Sequence, residues 1–92
     1  MLKLTCAAAA AAVAAIVSAP GAAAQEDDYL AGLEDRYRFL TAEQMLTEGY
    51  RVCALTSAGA LSPDAAAMVM RDLEVSVGPA MDIVSGAVLN LC

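Results

Sequence analysis

Histidine is absent from all 92 residues, and the commonest general base goes with it. Neither a Ser-His-Asp nor a Cys-His arrangement can be assembled. A zinc site is excluded on similar grounds, since without His or a second cysteine pair there are too few soft ligands. No Cys-x-x-Cys occurs, which rules out a thioredoxin-type redox motif. Gly-rich phosphate loops, Walker patterns and EF-hand spacing are also missing. Three carboxylate pairs do exist: Asp27/Asp28, Glu34/Asp35 and Asp72/Glu74. Each reads more simply as a solvated helix face or cap than as a catalytic dyad. The expectation is a non-enzyme with no catalytic residue, no cofactor and no metal site.

Basic residues are scarce as well. Lys3 is the only lysine, and Arg36, Arg38, Arg51 and Arg71 are the only arginines, against eleven acidic residues. Partners that select Lys/Arg patches, namely nucleic acid and anionic membrane surfaces, are therefore not expected. The negative charge suits solubility.

The first 24 residues carry what is abundant. Lys3 precedes an Ala-rich apolar run from Ala7 to Ala19, Pro20-Gly21 breaks it, and Ala22-Ala23-Ala24 follows. A basic start, a short apolar region and a small-residue site form a secretory signal peptide. The expected organisation is a signal peptide over 1–24, cleaved between Ala24 and Gln25, and one helical domain over 25–92. An Ala-dominated segment of this length is too weakly hydrophobic for a retained anchor, so no stable membrane insertion is expected after cleavage. A lipoprotein reading fails because Cys6 precedes the apolar run and follows Thr5. Over 25–92 the four arginines and eleven acidic residues give 4 − 11 = −7. The destination is the cell envelope or the extracellular space.

Cleavage also removes Cys6, leaving Cys53 and Cys92. An even count in an exported chain predicts a disulfide, and closing a loop of this length contributes about 4 kcal/mol in the chain-entropy picture. A domain of fewer than about 70 residues draws little more than that from its core.

Past the leader, the periodicity is helical throughout, and no strand alternation or hairpin turn pair occurs. A first helix is expected over roughly 28 to 38, capped by Asp27 or Asp28, with Leu30, Leu33 and Tyr37 as its stripe. Phe39 and Leu40 then turn inward. Thr41 to Gln44 is a capping box opening a second helix, whose buried stripe is Met45, Leu46, Gly49, Val52, Cys53 and Thr56. Gly49 in mid-helix implies close packing, and Gly59 ends the helix. Ser62 is expected to cap a third helix with Pro63 in its first turn, and Ala66, Val69, Met70 and Leu73 inside. Ser76 or Gly78 caps a fourth, striped by Met81, Val84, Ala87, Val88 and Leu91. The fold class is all-α: a small bundle of about four short helices stapled by one disulfide.

Several of these blocks together resemble a known family. Tyr29-Leu30-x-x-Leu33, Gly49-x-x-Val52-Cys53-x-Leu55, Ser62-Pro63-Asp64, Ala80-x-x-Ile83-Val84-x-x-Ala87 and the closing Cys92 are similar to the small secreted actinobacterial proteins, best known from mycobacteria, grouped as domain of unknown function 732. Arg38-Phe39 stands near the place where that family often carries Gly-Ile. The resemblance spans about Asp27 to Cys92 and implies export, a helical fold and a Cys53–Cys92 bond, but no activity.

Two functions remain. The first is a non-catalytic interaction module with an unknown protein partner, whose contact surface is marked by tyrosines Tyr29, Tyr37 and Tyr50. Tyr50 and Arg51 form its candidate recognition patch. The second is a small carrier of an apolar molecule, suggested by the flexible side chains of Met45, Met68, Met70 and Met81.

Overall fold

A computed structural model describes residues 21–92. The Ala-rich run, Pro20 and Cys6 of the expected leader lie outside the described residues. Four helices make up the described chain, with no strand among the described residues. They are α1, helical from residue 21 to 31, α2 (Ala42–Ser57), α3 (Ser62–Leu73) and α4 (Val77–Asn90). The last three pack on one another pairwise, and α1 lays its buried side chains on the same core.

The first helix differs from its expected bounds at both ends. Asp27 and Asp28 lie inside α1 and cap nothing. Regular helix stops at residue 31, before Gly32, and the chain continues as turns, held by bonds such as Glu34 N to Leu30 O and Tyr37 N to Leu33 O. Those turns keep roughly helical pitch, so Tyr29, Leu33 and Tyr37, spaced by four, all reach the core. Leu30, expected on that stripe, is only partly buried. Leu40 turns inward, but Phe39 is 68% exposed and rests edge-on against Tyr37.

The capping box forms as expected. Gln44 N–H donates to Thr41 Oγ1 at 3.0 Å and Thr41 N–H donates to Gln44 Oε1 at 2.9 Å. Leu40 before the cap and Met45 inside it are both buried, the two positions of a hydrophobic staple. At the far end Gly59 takes a φ of 105°, which glycine adopts without a Cβ penalty.

Ser62 does not cap α3. Leu61 holds the extended cap conformation, no side chain accepts there, and Ser62 is already helical. Pro63 in the first turn lacks an N–H to satisfy, which eases that omission. The buried face of α3 is Ala65, Ala66, Met68 and Val69, while Met70 reaches the surface. Glu74 ends the helix at φ 55°, a left-handed position held by a non-glycine residue.

On α4, where Ser76 holds the N-cap position without a side-chain capping bond, the buried face is rotated from the expected stripe. Ala80, Ile83, Val84 and Ala87 are inside, whereas Met81 and Val88 are exposed. The apolar arc of this helix is wider than its neighbours cover, and a pattern reading centres on the whole arc.

Gly49 explains how α1, α2 and the end of α4 meet. A Cβ there would lie 2.9 Å from Tyr29 Cζ and Oη and 2.6 Å from Leu91 Cδ1. Gly86 on α4 also approaches that ring, since a Cβ there would lie 3.2 Å from Tyr29 Cδ1 and 3.4 Å from Cε1. Tyr29 thus packs against two glycines, is 1% exposed, and donates its hydroxyl to the Met45 carbonyl at 2.6 Å. Burial raises its pKa above the ordinary phenol range, and the Glu48 carboxylate adds to the effect.

Candidate functional site

Cys53, on the inner side of α2, and Cys92, just past α4, lie with their sulfurs 2.05 Å apart and their Cα atoms 5.2 Å apart, a disulfide geometry. The bond fastens the C-terminal turn over α2, and with it Leu91 above Gly49.

The Ala24–Gln25 bond lies on an exposed stretch of α1. The first side-chain tie comes just after it, where the Tyr50 hydroxyl donates to Glu26 Oε2 at 2.6 Å, and Tyr29 is the first buried side chain.

Tyr50 and Arg51 are neighbours in sequence but face different helices. Tyr50 reaches α1, and its hydrogen bond to Glu26 raises the phenol's pKa. Arg51 reaches α3, with Nη1 2.7 Å from Asp72 Oδ2. Both remain partly exposed, so the patch is a surface whose polar groups are already engaged within the chain. Tyr29 and Tyr37 are buried and do not contribute to a contact surface. Tyr37 instead donates its hydroxyl to Asp82 on α4, which raises its pKa, while Arg36 lies over its ring and pairs with the same carboxylate at 3.1 Å.

Sequence reasoning missed Glu48. It is 3% exposed and its Oε2 has no hydrogen-bond partner, and it sits one turn before Arg51, which holds Asp72 across the α2–α3 seam. Burial first, then Asp72, pushes the Glu48 carboxyl up to about 7, and Arg51 opposes the shift. A signal for this was available: Glu48 falls between Met45 and Val52 on the apolar arc of α2, a charge on a face that should bury.

Beside this cluster an open groove of about 290 Å³ is lined by Arg51, Ala54, Leu55 and Ala58 of α2 and Met68 of α3. Among the described residues no group of three or more His, Cys, Asp or Glu side chains converges as metal ligands would. No helix among them is long and apolar enough to cross a membrane.

Fold and site together define a small all-helical domain, stapled by one disulfide, with one buried carboxyl group, Glu48, in the α2–α3 seam. No family model, no curated protein and no solved structure matches this chain.

Proposed function

We propose that the chain is exported and acts as a non-catalytic interaction module of the cell envelope or extracellular space, engaging a protein partner along the uncovered edge of α4. The observation that carries this is the row Val77, Met81 and Val88, exposed at i, i+4 and i+11 beside an arc that is wholly buried. Apolar side chains aligned along one helix present an edge of the kind groove-type partners recognise. Export draws support from the leader-like first 24 residues and from a disulfide that suits an oxidising compartment. The resemblance to the secreted actinobacterial family points the same way.

Val88→Asp and Met81→Glu, set against Ala67→Asp on the exposed side of α3, test the edge by binding to the native host's envelope fraction. Loss in the first two with retention in the control supports the reading, and equal binding by all three removes α4 from it. Intact mass of the secreted protein, with and without reductant, tests export separately. A chain beginning at Gln25, two hydrogens light until reduced, is the expected result.

Carriage of a small apolar molecule is the second reading, and the groove at Arg51, Leu55 and Met68 favours it. The core itself is filled by Tyr29, Met45, Val52, Val69, Ile83 and Val84, so a cargo would lie on the surface. For that reason the interaction module is preferred.

A further inference from the structure

The seam between α2 and α3 contains a charge that no role above employs. Glu48 is buried, yet Oε2 accepts from nothing. The groups facing it leave few ways to hold an anion there. From α1, Tyr29 has already given its hydrogen to the Met45 carbonyl. From α3, the partly exposed Asp72 brings a second carboxylate, its Oδ2 2.7 Å from Arg51 Nη1. On α2 itself, Arg51 one turn away has its guanidinium on Asp72. Asp82, the only acidic or basic side chain of α4, is held by Arg36 and Tyr37. One positive charge is therefore set against two carboxylates, and the more buried of the two has an unfilled acceptor.

A proton resolves this arrangement. Protonated, Glu48 carries no charge and gains a hydrogen to donate, and the cluster of Glu48, Asp72 and Arg51 is neutral. Ionised, it leaves a buried carboxylate short of donors against a like charge across the seam, which is destabilising. We propose that Glu48 and Asp72 form a proton-operated latch between α2 and α3, closed in acid and loosened in alkali, beside the groove at Arg51 and Met68. On ionisation the proton leaves to solvent, and Arg51 remains the single cation for both carboxylates. This inference stands apart from the α4 edge and from export, because it concerns only the folded domain.

The direction follows from linkage. A carboxyl that titrates higher when folded makes the folded state bind more protons than the unfolded chain. Stability is then complete below the ordinary carboxyl range and falls as pH rises through the folded-state titration. The test uses the oxidised full chain and follows the Glu48 side-chain carboxyl carbon by NMR from pH 3 to 9, with melting curves at pH 5 and 8. The expected midpoint is near about 7, with a melting temperature lower at pH 8 by roughly 5–10 °C. Glu48→Gln removes most of that difference, and Asp72→Asn moves the Glu48 midpoint down. A wild-type midpoint in the ordinary carboxyl range overturns the latch, as does an undiminished pH effect in Glu48→Gln. Should the Gln variant not fold, the wild-type midpoint alone decides.

Discussion

The two faces of α2 are built on opposite principles. On one, Gly49 admits Tyr29 and Leu91, and Cys53 is joined covalently to Cys92. Tyr29 there has its hydroxyl satisfied and its ring bounded by two glycines. On the other, Glu48 and Arg51 meet α3 through charge, one carboxylate oxygen is orphaned, and a groove lies open beside them. A small core contributes only a few kcal/mol, and one seam here is closed by shape and a covalent bond. The other is then free to be conditional, depending on protonation rather than on close fit.

Breaking the closed face should have the largest effect. Cys53→Ser removes the constraint on a loop of sequence separation 39, and the expected loss is about 4 kcal/mol. In a domain this small that is a fall in melting temperature on the order of 15–25 °C. The measurement is thermal denaturation with and without reductant. Wild type in reductant should match the variant, and a variant melting like oxidised wild type would detach the bond from stability.

Gly49→Ala attacks the same face without touching sulfur. Alanine is the better helix former by about 1 kcal/mol, so a solvent-facing site would gain. Here the new methyl meets Tyr29 Cζ and Oη at 2.9 Å. The ring is held by its bond to Met45 and also packs on Gly86, leaving Leu91 as the neighbour that can move. Overpacking costs typically about 1–3 kcal/mol, so a net destabilisation of about 1 kcal/mol or more is expected in urea unfolding. A stabilised variant would show that the Tyr29 slot is loose.

The contrast between the faces also marks what was legible in the sequence. The capping box at Thr41, the helical class, the demand for a small residue at 49 and the Cys53–Cys92 pairing could all be read, because each rests on local chemistry or on counting. The limits of α1 could not. Residues 29, 33 and 37 keep their spacing through turns after regular helix ends, so periodicity continues past the element that produced it. The α4 stripe failed because Met81 and Val88 are as apolar as the side chains beside them, and only the packing of α2 and α3 decides which half of the arc is covered. Ser62 has the right chemistry for a cap but lies one residue too late, behind Leu61. Glu48 was legible too, as a carboxylate between Met45 and Val52 on the apolar stripe of α2.

On the charged face, Arg51→Ala should have a smaller effect, since the Arg51–Asp72 pair is partly exposed and such pairs are worth about 1 kcal/mol or less. Its value lies in the pH profile. Arg51 holds the Glu48 carboxyl down against burial and Asp72, so removing it raises that titration further. The folded state then retains its extra proton to higher pH, and the decline in stability extends further into alkali. Melting curves between pH 5 and 9 read this directly. A variant that loses stability equally at every pH would make Arg51 a simple tether and leave Glu48 insensitive to it.

The smallest expected change lies at the end of α3, outside both seams. Gly59 ends α2 at positive φ with a residue suited to it, whereas Glu74 ends α3 at φ 55° with a side chain present. A left-handed non-glycine residue costs roughly 1–2 kcal/mol, and a carboxylate at a helix C-terminus opposes the dipole by up to about 1 kcal/mol. Glycine removes both penalties but adds backbone entropy to the unfolded chain, about 0.5–1 kcal/mol in the other direction. Glu74→Gly should therefore stabilise by roughly 0.5–1 kcal/mol. Because Glu74 is exposed and faces neither Glu48 nor Cys53, that gain should be the same at pH 5 and pH 8 and the same with and without reductant. A gain that varied with pH would mean that the turn after α3 reports on the Glu48–Asp72 seam, and the division of α2 into one fixed and one conditional face would have to include it.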